Sequence, residues 1–248
     1  MKKILFLIVF ISCTLAYGQN DKTLFIYGGA VTKEFIKYTA ELTKKERPKI
    51  CFLPTAWADD VYYINYWYEL CSDLEVVPKV LRVWITSPTQ KESFEEILMD
   101  MDAIIVGGGN TLNMLAIWRA QEIDVALLKA YDNGTVMAGG SAGSLCWFNA
   151  GTTDSRPKEL SIVNGLGLID YSHCPHYDSE ESRRPLYHEN ILEKKLSNGY
   201  ACDDKSGIVF LSGQVSKSVS IDSTSFSYYV YENNGEIVEE KLKSEIIY

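Results

Sequence analysis

The chain of 248 residues has only three histidines (His173, His176 and His188), and its six cysteines include no Cys-x-x-Cys pair. Structural zinc sites are built on closely spaced thiols and imidazoles, so no metal site is expected. The cysteines are too few and too scattered for a disulfide-built scaffold. Cations are short as well, with 24 Lys and Arg against 33 Asp and Glu for a net charge of −9. Nothing in the chain resembles the clustered positive charge that binds nucleic acid or an anionic membrane, so neither is expected as a partner. Long apolar runs are absent too. The stretch at 4–11 falls well short of the roughly 20 residues that cross a bilayer, so no integral membrane span is expected. Neither Gly-x-Gly-x-x-Gly nor a Gly-rich loop ending in Lys-Ser/Thr occurs, and no cofactor is implied.

What is present begins with Lys2 and Lys3, that short apolar run, and small residues at Ala16 and Gly18. This pattern predicts a secretory signal over 1–18, cleaved after Gly18, and hence a secreted or periplasmic protein. Cys13 offers lipid anchoring as a second reading, which Phe10 three residues ahead of it disfavours. Loss of the segment removes two Lys and no acid, taking the charge from −9 to −11. Residues 19–248 read as a single catalytic domain, and 46% hydrophobic residues are enough to give it a core.

Apolar bursts at 23–27, 49–53, 79–85, 103–106 and 135–138 alternate with amphipathic stretches at 32–45, 59–72, 89–99, 111–118 and 122–131. The second of these stretches is rich in Tyr and Trp. Thr32 caps the first helix, and Thr89 with Glu92 forms a capping box for the third. Strands alternating with helices predict an α/β three-layer sandwich with a mostly parallel central sheet. Residues 150–190, rich in Gly, Pro, Asp, His and Arg, read as surface loops. From 207 onward, strands at 208–211, 215–221, 226–231 and 236–241 read as an antiparallel extension of the sheet.

Gly139-Gly140-Ser141-Ala142-Gly143 follows an apolar strand and precedes a helical run at 144–148. A serine on such a turn is raised above the sheet edge, and the Ala142 N–H behind it can hold an oxyanion. Gly107-Gly108-Gly109-Asn110-Thr111 also ends a strand and opens a helix. Its bare backbone at Gly108 and Gly109 offers a second oxyanion donor, and Asn110 suits a helix cap. Among the histidines, His176 sits in Cys174-Pro175-His176-Tyr177-Asp178 and is the first candidate for a general base. His173 competes with it. For the orienting carboxylate the sequence leaves Asp203, Asp204, Asp154 and Asp178 open.

The glycine turn at 107–111, the Gly-x-Ser-Ala-Gly elbow about 30 residues later and Pro175-His176-Tyr177 together resemble the peptidase S51 family. That family includes dipeptidase E and cyanophycinase, on a fold like class I glutamine amidotransferases. The resemblance spans roughly residues 22–212. It implies Ser141 as nucleophile, His176 as base and Asp204, in Asp204-Lys-Ser-Gly-Ile208, as the acid, although the family often has Glu there. Thr152-Thr153-Asp154 is similar to a family segment near the site, which makes Asp154 a supporting acid. Hydrolysis of short peptides through an acyl-enzyme follows from this. A preference for an acidic first residue would need a cation, for which Arg183 and Arg184 are the candidates. Two other classes compete: a non-catalytic binding protein on the same fold, and an α/β-hydrolase-type esterase. The esterase fold places its acid between Ser and His, whereas the best acid here follows the His.

Overall fold

The computed structural model describes residues 22–84 and 90–248. The expected signal segment, Cys13 and Thr89 lie outside them. In β1 (Thr23–Tyr27), Leu24 and Ile26 pack into one buried cluster while Phe25 and Tyr27 pack into another. The same alternation splits β2 (Lys49–Leu53), where Cys51 and Leu53 face one way and Ile50 and Phe52 the other. Strands read as apolar throughout because both faces of their sheet are covered.

These strands belong to an eight-stranded sheet. With β3 (Val77–Val80), β4 (Ala103–Val106), β5 (Val136–Gly140), β10 (Ser206–Leu211), β11 (Gln214–Ser220) and β14 (Ser244–Ile246), its order is β14-β11-β10-β1-β5-β4-β2-β3. The five strands from β3 to β1 run parallel, and β10 and β11 add antiparallel. The helices α1 (Lys33–Leu42) and α2 (Val61–Cys71) cover one face through Phe35, Ile36 and Trp67. On the other face lie α3 (Phe94–Met99), α4 (Thr111–Ala120) and α5 (Ile123–Asp132), through Leu98, Trp118 and Leu127. The expected α/β architecture with a mostly parallel central sheet is present.

Local chemistry accounts for the boundaries. Thr32 caps α1 by accepting the Phe35 N–H at 3.3 Å. The third helix opens at Phe94, and its capping box is Ser93 with Glu96, one turn beyond the expected pair. β3 ends at Val80, short of the expected 85. Beyond it the Asp59 carboxylate takes the Val83 and Trp84 N–H groups, which gives that backbone a partner outside the sheet.

Residues 150–190 depart most from expectation. They hold β6 (Phe148–Thr153, which begins earlier), β7 (Ser161–Asn164), β8 (Ile169–Cys174) and α7 (Arg183–Leu192). With β9 (Gly199–Cys202), β12 (Ser227–Asn233) and β13 (Glu236–Lys241) they form a second sheet, ordered β13-β12-β9-β8-β6-β7. Its buried positions include Thr152, Thr153, Ser172 and His173, polar residues whose hydrogen bonds replace the apolar periodicity that would have marked strands. The C-terminal strands therefore divide between two sheets, where a single extension was expected. The helix after Ser141 is also shorter than read: α6 (Ala142–Leu145) is a single turn.

Candidate active site

Three strand ends from two sheets meet at one point. β5 leads into Ser141, whose φ of 53° and ψ of −120° lie outside the regions that L-residues favour. The turn closes because Gly143 has no side chain, since a Cβ there would stand 2.1 Å from the Val106 carbonyl oxygen. β8 ends at Cys174, and His176 follows Pro175 with a left-handed φ of 53°. The Tyr177 N–H, bonded to the Cys202 carbonyl at 3.1 Å, ties that turn to β9. Asp204 lies two residues beyond β9, and its carbonyl receives the Gly29 N–H at 3.0 Å from the end of β1.

The side chains form one continuous line. Ser141 Oγ is 2.8 Å from His176 Nε2, and His176 Nδ1 is 2.7 Å from Asp204 Oδ1. The hydrogen bond from His176 holds the Asp204 carboxyl below its usual range against the opposing effect of burial, with Ser179 and Arg183 assisting. Of the carboxylates considered, Asp204 is the one that reaches the imidazole. Asp178 Oδ1 accepts the Asp204 backbone N–H at 2.9 Å and so fixes the backbone rather than the ring. Asp203 points the other way and accepts the Phe226 N–H at 2.7 Å; burial pushes it up to about 6. Asp154 is 65% exposed and, among the described residues, reaches only Arg183, at 3.6 Å.

Backbone donors stand beside Ser141. Gly108 is close enough that a Cβ on it would lie 3.5 Å from Ser141 Oγ. Among the described residues, the N–H groups of Gly108, Gly109 and Ala142 have no acceptor within the protein. Unpaired amides at a serine hydroxyl are what a developing oxyanion requires.

The sequence model of peptidase family S51 matches residues 24–218. The chain belongs to peptidase family S51. This S51 peptidase is 42% identical over 203 residues to the uncharacterised peptidase YgaJ of Bacillus subtilis (strain 168), covering 82% of this chain and 86% of that one. Over 153 residues, 60% of each chain, it is 29% identical to Peptidase E of Shewanella denitrificans. Its fold is similar to the crystal structure of a peptidase from an acI-B1 Actinobacterium, with a TM-score of 0.69 at 17% identity over 93% and 98% of the two chains. The crystal structure of a protein described as a putative Peptidase E, from Listeria monocytogenes EGD-e, aligns at a TM-score of 0.59 and 19% identity, over 82% and 100%.

The remaining expected site residues of this S51 peptidase lie elsewhere. Arg183 is buried, bonded to Glu180 at 2.6 Å and to the Thr152 carbonyl at 3.0 Å. Arg184 lies over the Tyr177 ring and pairs with Glu239. Asn110 caps α4 through the Asn113 N–H at 2.9 Å and holds the Ser155 carbonyl with its amide. None of the three lines the cavity at Ser141. That cavity, about 230 Å³, is walled by Phe52, Trp57, Tyr63, Tyr66 and Trp67 and floored by the 107–109 turn, Ser141 and His176. Sequence reasoning passed over this wall, although Tyr63, Tyr66, Trp67 and Leu70 recur at the i, i+3, i+4, i+7 spacing of one helix face. Gly28-Gly29, which closes the first strand, also serves the site, because its bare backbone receives the Asp204 turn.

Proposed function

We propose that this S51 peptidase is a serine-type enzyme that hydrolyses short peptides through an acyl-enzyme. His176 accepts the Ser141 proton as Oγ attacks the amide carbonyl, and Asp204 holds the ring and supports its charge. The N–H groups of Ala142 and of the Gly108–Gly109 turn receive the oxyanion. His176 then passes the proton to the leaving amine, and water, deprotonated by the same ring, releases the acyl group.

One observation carries this reading: the unbroken line from Ser141 Oγ through His176 to Asp204, at 2.8 and 2.7 Å. The order Ser, His, Asp along the chain also separates it from the α/β-hydrolase esterases, whose acid precedes the His. The expected acidic preference has less support, because Arg183 and Arg184 are both engaged by Glu180 and Glu239. Export through residues 1–18 belongs to the same proposal, and its support is the sequence pattern alone.

The test treats the purified protein with a fluorophosphonate and follows dipeptide hydrolysis in parallel. Wild-type protein is expected to label and to turn over, and Ser141→Ala to do neither. Labelling and turnover that survive the substitution overturn the assignment of Ser141. A folded wild-type protein that binds a dipeptide without cleaving it favours the non-catalytic alternative.

A further inference from the structure

The cavity beside Ser141 has a lining whose chemistry differs from what an acidic substrate needs. Its wall is two stacked aromatic pairs, Phe52 on Trp67 with centroids 5.1 Å apart and Trp57 on Tyr63 at 4.7 Å. Tyr66 and Leu70 of α2 extend it. The wall is fixed in place. Trp57 sits in a short 3-10 turn (Thr55–Trp57), and Asp59 just beyond that turn is anchored to the backbone at Val83 and Trp84. Trp57 is 47% exposed and Tyr66 41%, so two large rings stand at the mouth only partly covered. Singly exposed apolar residues are ordinary, but a cluster of rings opening onto a nucleophile is a recognition surface.

Among the described residues the lining contains no Lys or Arg, and His176 is its one imidazole. A substrate carboxylate entering it would lose its water and meet no guanidinium or ammonium in return. An apolar side chain would instead exchange water for aromatic faces. The size of the cavity sharpens this. At about 230 Å³ it is smaller than the roughly 300–1,000 Å³ that encloses a whole drug-sized ligand, and it suits one side chain.

We propose that this cavity is a specificity pocket for one large apolar side chain, aromatic or long aliphatic, on a residue flanking the scissile bond. The proposal rests on Ser141 being the nucleophile. It makes the enzyme selective for apolar short peptides, with Trp57, Tyr63 and Tyr66 as the residues that set the choice.

The experiment measures kcat/KM for dipeptides carrying Phe, Leu, Ala, Asp or Lys in either position, with Ser141→Ala run on the same panel. In one of the two positions Phe and Leu are expected to exceed Ala by roughly tenfold to a hundredfold, with Asp below Ala. Tyr66→Arg, at a half-open position, is expected to raise the Asp-to-Phe ratio at least tenfold. Trp57→Ala is expected to collapse the Phe-to-Ala ratio mainly through KM. Wild-type preference for Asp, or equal rates for Phe and Ala in both positions, overturns the pocket while leaving the nucleophile intact. The wild-type panel decides this even where a variant fails to fold. Turnover that persists in Ser141→Ala overturns the nucleophile, and the pocket proposal with it.

Discussion

Each of the three histidines hydrogen-bonds a hydroxyl and a second oxygen, yet the three sites are chemically unlike. His176 joins Ser141 to Asp204. His173 joins Ser144 Oγ, at 2.9 Å, to the Tyr200 carbonyl, also at 2.9 Å. His188 reaches both the Tyr177 hydroxyl, at 2.7 Å, and Glu239, at 2.8 Å. His173 is wholly buried against Phe148, and desolvation drives it down to about 3, so it stays neutral. At His188 the cluster closes on itself. Burial works against the Glu239 charge, but hydrogen bonds from Arg184, Tyr177 and His188 outweigh it and hold the group at about 2. The site at Ser141 alone combines an oriented imidazole with a hydroxyl open to a cavity and unpaired amides. Under the proposed mechanism a hydroxyl, an imidazole and an acid in contact are insufficient; a reactive set also needs room for a reacting carbonyl and donors aimed at it.

Substitutions can break this comparison. The largest effect is expected for Ser141→Ala and His176→Gln, each lowering kcat by roughly 10³–10⁶-fold. His188→Gln is expected to change kcat by less than about threefold while lowering Tm by a few degrees. A comparable loss of kcat in His176→Gln and His188→Gln would erase the distinction between the sites. Next comes Asp204→Asn, expected to cost about 10²–10⁴ in kcat with KM nearly unchanged, because the ring loses its orienting acceptor. The same change at Asp203 should leave kcat within about threefold.

Smaller effects separate the groups through pH. Asp203, about 6 when folded against about 3.9 unfolded, is disfavoured as a carboxylate. Its contribution therefore lowers stability as pH rises from about 4 to about 6. His173, about 3 when folded against about 6.5 unfolded, acts in the opposite direction, and stability falls as pH drops below 6.5. Each group supplies a slope of about 1.4 kcal/mol per pH unit across its own window. Chemical denaturation of Asp203→Asn from pH 4 to 7 is expected to show a gain over wild type that grows with pH and levels off above 6. A pH-independent difference would contradict the burial of a charge there.

The legibility of the molecule in its sequence follows the same physical lines. The parallel strands could be read because both faces are apolar, and the turns after them because glycine clusters have few other uses. The elbow at Ser141 and the turn at His176 were visible as local motifs. The second sheet was not, since Ser172, His173 and Thr152 satisfy buried positions with hydrogen bonds and leave no alternation to detect. Residue types alone left Asp203 and Asp204 open, and it was the family resemblance that pointed to Asp204. Long-range bonds set which one meets the ring: Asp203 is held by the Phe226 N–H, while the Asp204 backbone is held by Asp178 and by the Gly29 N–H. Arg184 was hidden for a simpler reason, since Glu239, which engages it, is 55 residues away in the chain; Glu180, which engages Arg183, is only three residues away.

The proposed mechanism stands or falls on which oxygen attacks. Rapid acid quench of the protein mixed with a chromogenic ester, followed by peptide mass mapping, locates the acyl group directly. The expected result is a single adduct on Ser141 that forms in a burst, is lost in Ser141→Ala and forms at least a hundredfold more slowly in His176→Gln. An adduct on Ser144, or one on Ser141 that His176→Gln leaves at the wild-type rate, would contradict it.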